Sequence, residues 1–228
     1  MGDLARRTFA EAVGTFVLVF AGTSAIVVDA RSDGELGNLG VSLVFGLAIA
    51  AGVFTLRQVS SAHFNPAISV AMAAIGRFRP PEIPVYVAAQ LTAAVAASLL
   101  VKAIFGDEGD LGVTRPDIAL WRAFLIEAAL TAILAFVIAR VAAEPSLPAV
   151  QAAIAIGGAV ALGALVGGPV TGGSMNPARS FGPALVALDF EDQWLYWLAP
   201  ILGATCGALL YAALGRDEDA TPAASTRA

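Results

Sequence analysis

Apolar residues in this chain do not alternate with polar ones; they run on. Six stretches, at about 8–28, 39–56, 83–105, 118–141, 147–166 and 194–214, are nearly free of charge. Runs of about 20 mainly apolar residues are long enough for a helix to cross the hydrocarbon core of a bilayer. The pattern therefore predicts six transmembrane helices. Two further segments, "SSAHFNPAISVAMAAIG" and "PVTGGSMNPARSFGPALVAL", are too apolar to be solvated loops, and neither forms a seventh span. Backbone that enters the membrane without crossing it is tolerated only when buried in protein or lining a water-filled cavity. Both segments are thus expected to be re-entrant. Asn is a strong N-cap and Pro fits the first helical position, so Asn65-Pro66-Ala67 and Asn176-Pro177-Ala178 should each start a half-helix. The residues before them are expected to be extended, turning the carbonyls of Ser61, Ala62, His63 and Phe64, and of Gly172 and Ser174, toward permeating water.

The two halves of the chain resemble each other. Glu11-Ala-Val-Gly14-Thr15 parallels Glu127-Ala-Ala-Leu130-Thr131, then come the two Asn-Pro-Ala stretches, and "YVAAQLTAAVAASLL" from Tyr86 parallels "YWLAPILGATCGALL" from Tyr196. The separations, 116, 111 and 110 residues, are nearly constant. One such match would be chance, and one Asn-Pro-Ala would be a turn tripeptide; the ordered set points to a duplication. Each half holds three spans, so the second must enter from the opposite face. The fold class that follows is an all-α membrane protein of six transmembrane helices and two re-entrant half-helices in an inverted repeat. Residues 1–215 form one domain with repeats of about 1–105 and 118–215, and residues 216–228 form a short tail expected to be disordered. Inverted repeats place their sites near the bilayer midplane.

Composition agrees with this reading. Of 228 residues, 58% are hydrophobic and 14% charged, and mean hydropathy is +0.79, well beyond the ordinary soluble domain. Arg6 and Arg7 ahead of the first run could suggest a cleavable leader, but Glu11 lies within that run and no small-residue cleavage site follows. Cytoplasmic loops carry the excess of Lys and Arg. Arg6, Arg7, Arg57, Arg77, Arg79, Arg140, Arg216 and Arg227 fall on the side of the N-terminus, against Arg31, Arg115 and Arg122 on the other. Both termini are therefore expected in the cytoplasm. Short termini and abundant alanine suggest a bacterial inner membrane. The single Cys206 excludes an intrachain disulfide.

Few groups are left to carry chemistry. Arg179 has Ile68 as its repeat partner, so its charge does not belong to the shared scaffold. A charge at membrane depth costs at least about 2.5–3.5 kcal/mol on insertion scales and faces water or protein. Arg179 is expected outward of the centre, one turn from Asn176, as a barrier to cations; snorkelling to the interface is the alternative. The two half-helix N-termini, each about +0.5 charge, should make the centre positive, with the Asn65 and Asn176 amides holding a water by its oxygen. Glu11 and Glu127 are expected to anchor the N–H groups of the neighbouring re-entrant loops rather than pair with each other. His63, the only histidine, reads as a brace in its loop. No nucleophile with a base, no His/Cys/Asp cluster and no phosphate loop is visible, so no catalytic residue, cofactor or metal is expected.

These motifs together, Glu11-x-x-Gly14-Thr15-Phe16, "SAHFNPA", Tyr86-x-x-Ala89-Gln90, Glu127 and "SMNPARSFGPAL", resemble the aquaporin or major intrinsic protein family over nearly the whole chain. The resemblance implies a right-handed bundle of six helices and two half-helices, one pore per protomer, a homotetramer and passage of water. It also implies an outer filter at Phe45, Ala164, Gly173 and Arg179. Strict water channels of the family place a histidine where Ala164 stands, so the opening should be wider. Ser180, Ala184, Tyr196 and Trp197 follow the water-channel pattern, and glycerol facilitators place Asp directly after the arginine. The phrase "GPVTGGSMNPARSFGPAL" is most similar to the nodulin-26-like branch, which with its bacterial relatives includes channels for small neutral solutes such as glycerol and metalloid hydroxides; glycerol, urea and metalloid hydroxides are the solutes expected here. The function implied is a passive channel for water and small uncharged solutes. An ion-coupled secondary transporter, a strict water channel and a membrane scaffold using the same fold are the alternatives.

Overall fold

The computed structural model describes residues 2–215. Among these residues six helices are long and apolar enough to cross a membrane: α1 (Asp3–Arg31), α2 (Gly37–Ser60), α4 (Ile83–Phe105), α5 (Leu120–Ala143), α6 (Ala149–Thr171) and α8 (Leu195–Leu214). Two short ones, α3 (Pro66–Ala74) and α7 (Pro177–Ala187), complete an all-helical fold. The order α1–α4 is repeated by α5–α8, with a linker at 106–119 between them. The tail at 216–228, with Arg216 and Arg227, lies outside the described residues.

α1, α2, α5 and α6 run past the C-terminal ends of the apolar stretches that announce them. α1 begins with a turn in which Arg6 and Arg7 pair with Asp3. α6 extends through Pro169 to Thr171, beyond the expected end. Proline cannot donate to the carbonyl four residues back. That carbonyl, on Leu165, instead accepts from Asn38 Nδ2 of α2 at 2.8 Å, so the ladder gap is filled across the helix pair.

Packing follows the repeat. α1 lies against α4 and α5 against α8, while α2 and α6 meet across the two halves. The half-helices cross over: α3 packs on α8 and α7 on α4, so each half closes around the other's short helix. Small residues allow this. A Cβ on Gly203 or Gly207 would lie 2.1 or 2.0 Å from the carbonyl oxygen of Ala128 or Ala132 in α5. The α5–α8 crossing exists only because α8 carries hydrogen atoms there.

Candidate pore and its constriction

Asn65 and Asn176 cap α3 and α7 from an extended conformation. The Asn65 side-chain oxygen accepts from Ala67 N, and that of Asn176 from Ala178 N and Arg179 N; Pro66 and Pro177 occupy the first turn. The two caps also bind each other's loop. Asn65 Nδ2 donates to the Met175 carbonyl at 2.8 Å, and Asn176 Nδ2 to the Phe64 carbonyl at 2.9 Å. One N–H of each amide is thus engaged across the repeat, leaving the other for a passing water. Ala67 and Ala178 are buried in the packing around this junction.

The residues before each cap are not extended. Ser61, Ala62 and Phe64 have φ of 73°, 55° and 50°, and Gly172, Gly173 and Met175 have φ of 80°, 54° and 52°. The physical reason is the carboxylate behind each loop. Backbone in such conformations turns successive N–H groups into one concave anion site. Glu11 Oε1 accepts from His63 N at 2.9 Å and Ser60 Oγ at 2.8 Å, and Oε2 from Phe64 N at 2.6 Å and Gln90 Nε2 at 2.9 Å. Glu127 accepts from Thr171 Oγ1 at 2.7 Å, Ser174 N at 2.9 Å and Met175 N at 2.8 Å. Both glutamates are fully buried, each on its own loop. Tyr86 and Tyr196 add matching bonds, their hydroxyls donating to the carbonyls of Ser60 and Thr171.

Between the loops runs a narrow passage. An outer vestibule of about 440 Å³ includes Phe45, Ala164, Gly172 and Arg179, and an inner one of about 310 Å³ includes Arg57, Ser61 and His63. The constriction joining them has only about 30 Å³, room for one or two waters. Its polar side carries Ala62, His63, Asn65, Gly173, Ser174, Met175, Asn176 and Arg179; Leu18, Ile49, Ile68, Leu134, Ile138, Ile156 and Val160 form an apolar wall. Phe45 and Ala164 line it as well, so all four filter positions implied by resemblance come together. Ser61 stands only at the inner mouth and Gly172 only at the outer one. Phe64 does not line the passage: its ring is buried and its carbonyl is taken by Asn176.

Arg179 is 2% exposed and does not snorkel. Its Nη1 donates to the Gly112 carbonyl at 2.7 Å, and its Cζ lies 5.0 Å from the centroid of Phe45. Among the described residues its Nε has no partner, although buried. The Gly112 contact was not visible in the sequence, nor was the loop that delivers it: Gly109, Asp110 and Leu111 are all left-handed, φ 55°, 48° and 54°. Gly173 acts differently from a simple gap in the filter. A Cβ there would sit 3.0 Å from Gly168 N and 3.1 Å from Ala164 Cα, so glycine lets the loop press against α6. His63 is held by Ser69 Oγ at 3.0 Å from Nδ1 and by the rings of Phe78 and Tyr86.

The profile of the family described as Major intrinsic protein matches residues 2–211. Nodulin-26 of Glycine max is 41% identical over 207 residues, covering 90% of this chain and 76% of that protein. Aquaporin NIP3-1 of Zea mays is 40% identical over 220 residues, covering 95% and 73%. Among solved structures, the aquaglyceroporin from Plasmodium falciparum superposes with a TM-score of 0.86 at 27% identity, covering 96% of this chain and all of that one. With its family profile spanning nearly the full length and its two capped half-helices meeting at one constriction, this chain belongs to the major intrinsic protein family.

Proposed function

We infer that this chain is a passive channel for water and small uncharged solutes, and not an enzyme. The observation that carries the reading is the constriction. Two half-helix N-termini converge on it, a buried arginine closes its outer end, and its wall is polar along one side and apolar along the other. Positive helix ends and a guanidinium repel cations, while a neutral solute with hydroxyls on one face and C–H groups on the other fits both walls. The names of the relatives above, an aquaporin and an aquaglyceroporin, support the same solute class. In this reading Asn65 and Asn176 orient the central water, Phe45, Ala164, Gly173 and Arg179 form the selectivity filter, and Glu11 and Glu127 hold the loops.

Residues 1–215 make one channel domain of two repeats, about 1–105 and 118–215, in a homotetramer with both termini cytoplasmic, as the distribution of arginine supports. The bacterial inner membrane expected from composition rests on composition alone; the relatives named above are plant and Plasmodium proteins. Ion coupling is disfavoured by the glutamates. Glu11 accepts four hydrogen bonds and Glu127 three, which leaves little capacity to bind and release a coupling ion.

Stopped-flow light scattering on proteoliposomes tests this directly. Sucrose challenge should give water efflux faster than in empty vesicles, and glycerol or boric acid challenge should give re-swelling without any ion gradient. Solute uptake only under an imposed gradient would point to a transporter, and permeability equal to empty vesicles to a scaffold. Water flux without any solute flux would restrict the channel to water.

A further inference from the structure

A groove of about 610 Å³ lies among the end of α3, the last turns of α5 and the end of α8. It shares no residue with the constriction and opens on the face where the first and last described residues both stand. Its polar rim is basic. Among the described residues Arg140 makes no ion pair, and Arg77 makes one side-chain hydrogen bond, from Nη1 to the Ala142 carbonyl at 3.2 Å. The one carboxylate in the lining, Glu144, accepts from the Ser146 hydroxyl. The floor is apolar and aromatic: Ile75, Phe136 and Tyr211, with the last two rings packed edge to face at 5.5 Å.

The surface beneath the rim carries exposed apolar side chains. Ile133, Phe136 and Arg140 follow one another at helical spacing on α5, so Ile133 lies about 10 Å deeper than Arg140. Ile133 is 47% exposed, and on α8 Leu210 and Leu214 are 57% and 64% exposed. Two guanidinium groups above an apolar wall match a molecule with a phosphate at one end and a hydrocarbon chain at the other. Guanidinium binds phosphate through paired donors, and basic pockets between transmembrane helices on the cytoplasmic side are sites for anionic headgroups.

We propose that this groove binds an anionic phospholipid of the surrounding leaflet, its phosphate between Arg77 and Arg140 and an acyl chain along Ile133, Leu210 and Leu214. This goes beyond the transport reading and does not depend on it. The lipid would tie α3, α5 and α8 together at the base of the half-helix, and its presence would make the protein's stability depend on leaflet charge.

Native mass spectrometry of the full chain, incubated with phosphatidylglycerol or phosphatidylcholine of matched chains, tests the site. The anionic lipid should be retained preferentially, the preference should fall as salt is raised, and Arg140→Gln should weaken it about fivefold. Arg140→Lys should retain most of it. Water permeability of Arg140→Gln vesicles, matching the wild type, shows that this variant is folded. Equal retention of the two lipids by the wild type, a salt-independent preference, or unchanged retention in folded Arg140→Gln would overturn the proposal. Glycerol phosphate binding as tightly as the lipid would make the groove a soluble-anion site and overturn it too. A preference that emerges only when the chain ends at Gly215 would assign the groove to the acidic stretch Asp217-Glu218-Asp219 instead.

Discussion

A methyl group added at Gly22 would lie 2.1 Å from Cε1 of Phe45, and the Phe45 ring in turn sits under the Arg179 guanidinium. The aromatic side of the proposed filter is therefore positioned by a glycine on α1 that does not line the constriction. Gly22→Ala should push the ring toward the lumen and narrow it. The expected result is a larger loss of glycerol than of water permeability in vesicles, with Gly22→Ala/Phe45→Ala recovering glycerol flux; equal losses of both would break the link. This separates what the sequence showed from what it hid. Asn65, Asn176 and Arg179 were legible because each breaks an apolar pattern, and two of them do so at repeat-equivalent positions. Gly22, and the Gly112 carbonyl that holds Arg179, left no such mark. A glycine in a glycine-rich span and a backbone oxygen gain meaning only from what the fold brings against them.

At the scale of elements, the half-helices and their loops form a unit with the glutamate behind them. The caps and first-turn prolines were readable from residue type, and the half-helices begin where those residues stand. The anchoring of loop N–H groups by Glu11 and Glu127 was readable, but not its consequence for the backbone: gathering successive N–H groups onto one carboxylate requires left-handed φ rather than an extended chain. Left-handed φ at Phe64 and Met175 is strained for non-glycine residues; the convergent donors to Glu11 and Glu127 offset that cost. Glu127→Gln replaces an acceptor oxygen by an NH₂ facing the N–H of Ser174 or Met175. A buried donor left without a partner costs about 1–3 kcal/mol, so this variant should unfold more readily by that amount in mixed-detergent titrations and show reduced water permeability. Stability equal to the wild type would mean that the loop does not depend on the carboxylate.

Across the whole molecule the inverted repeat accounts for the scaffold but not for the proposed filter. Asn65 and Asn176 exchange equivalent bonds, as the duplication implies. Arg179, in the proposed filter, depends instead on the linker at 106–119, whose Gly112 carbonyl holds it and which has no counterpart in either repeat. That linker is tied to the second half by Arg115. Its Nη1 lies 2.6 Å from Asp110 Oδ2, and its Nε and Nη2 lie 2.9 and 2.5 Å from Asp189 Oδ2. Hydrogen bonds from Arg115, and then the backbone N–H of Glu191, hold the Asp189 carboxyl below the usual carboxylate range. A carboxyl with a lowered folded pKa contributes stability that is complete above its unfolded pKa, about 3.9, and is lost as pH falls through the folded value. Asp189→Asn should therefore lower stability by a constant increment between pH 7 and about 5, on the order of 0.2–1 kcal/mol for so exposed a pair. Below about pH 4 the wild type loses the same contribution, and the two melting curves should converge. Melts of the detergent-solubilised protein across that range check the sign: a gap that widens toward acid would mean that Asp189 does not hold the linker through its charge.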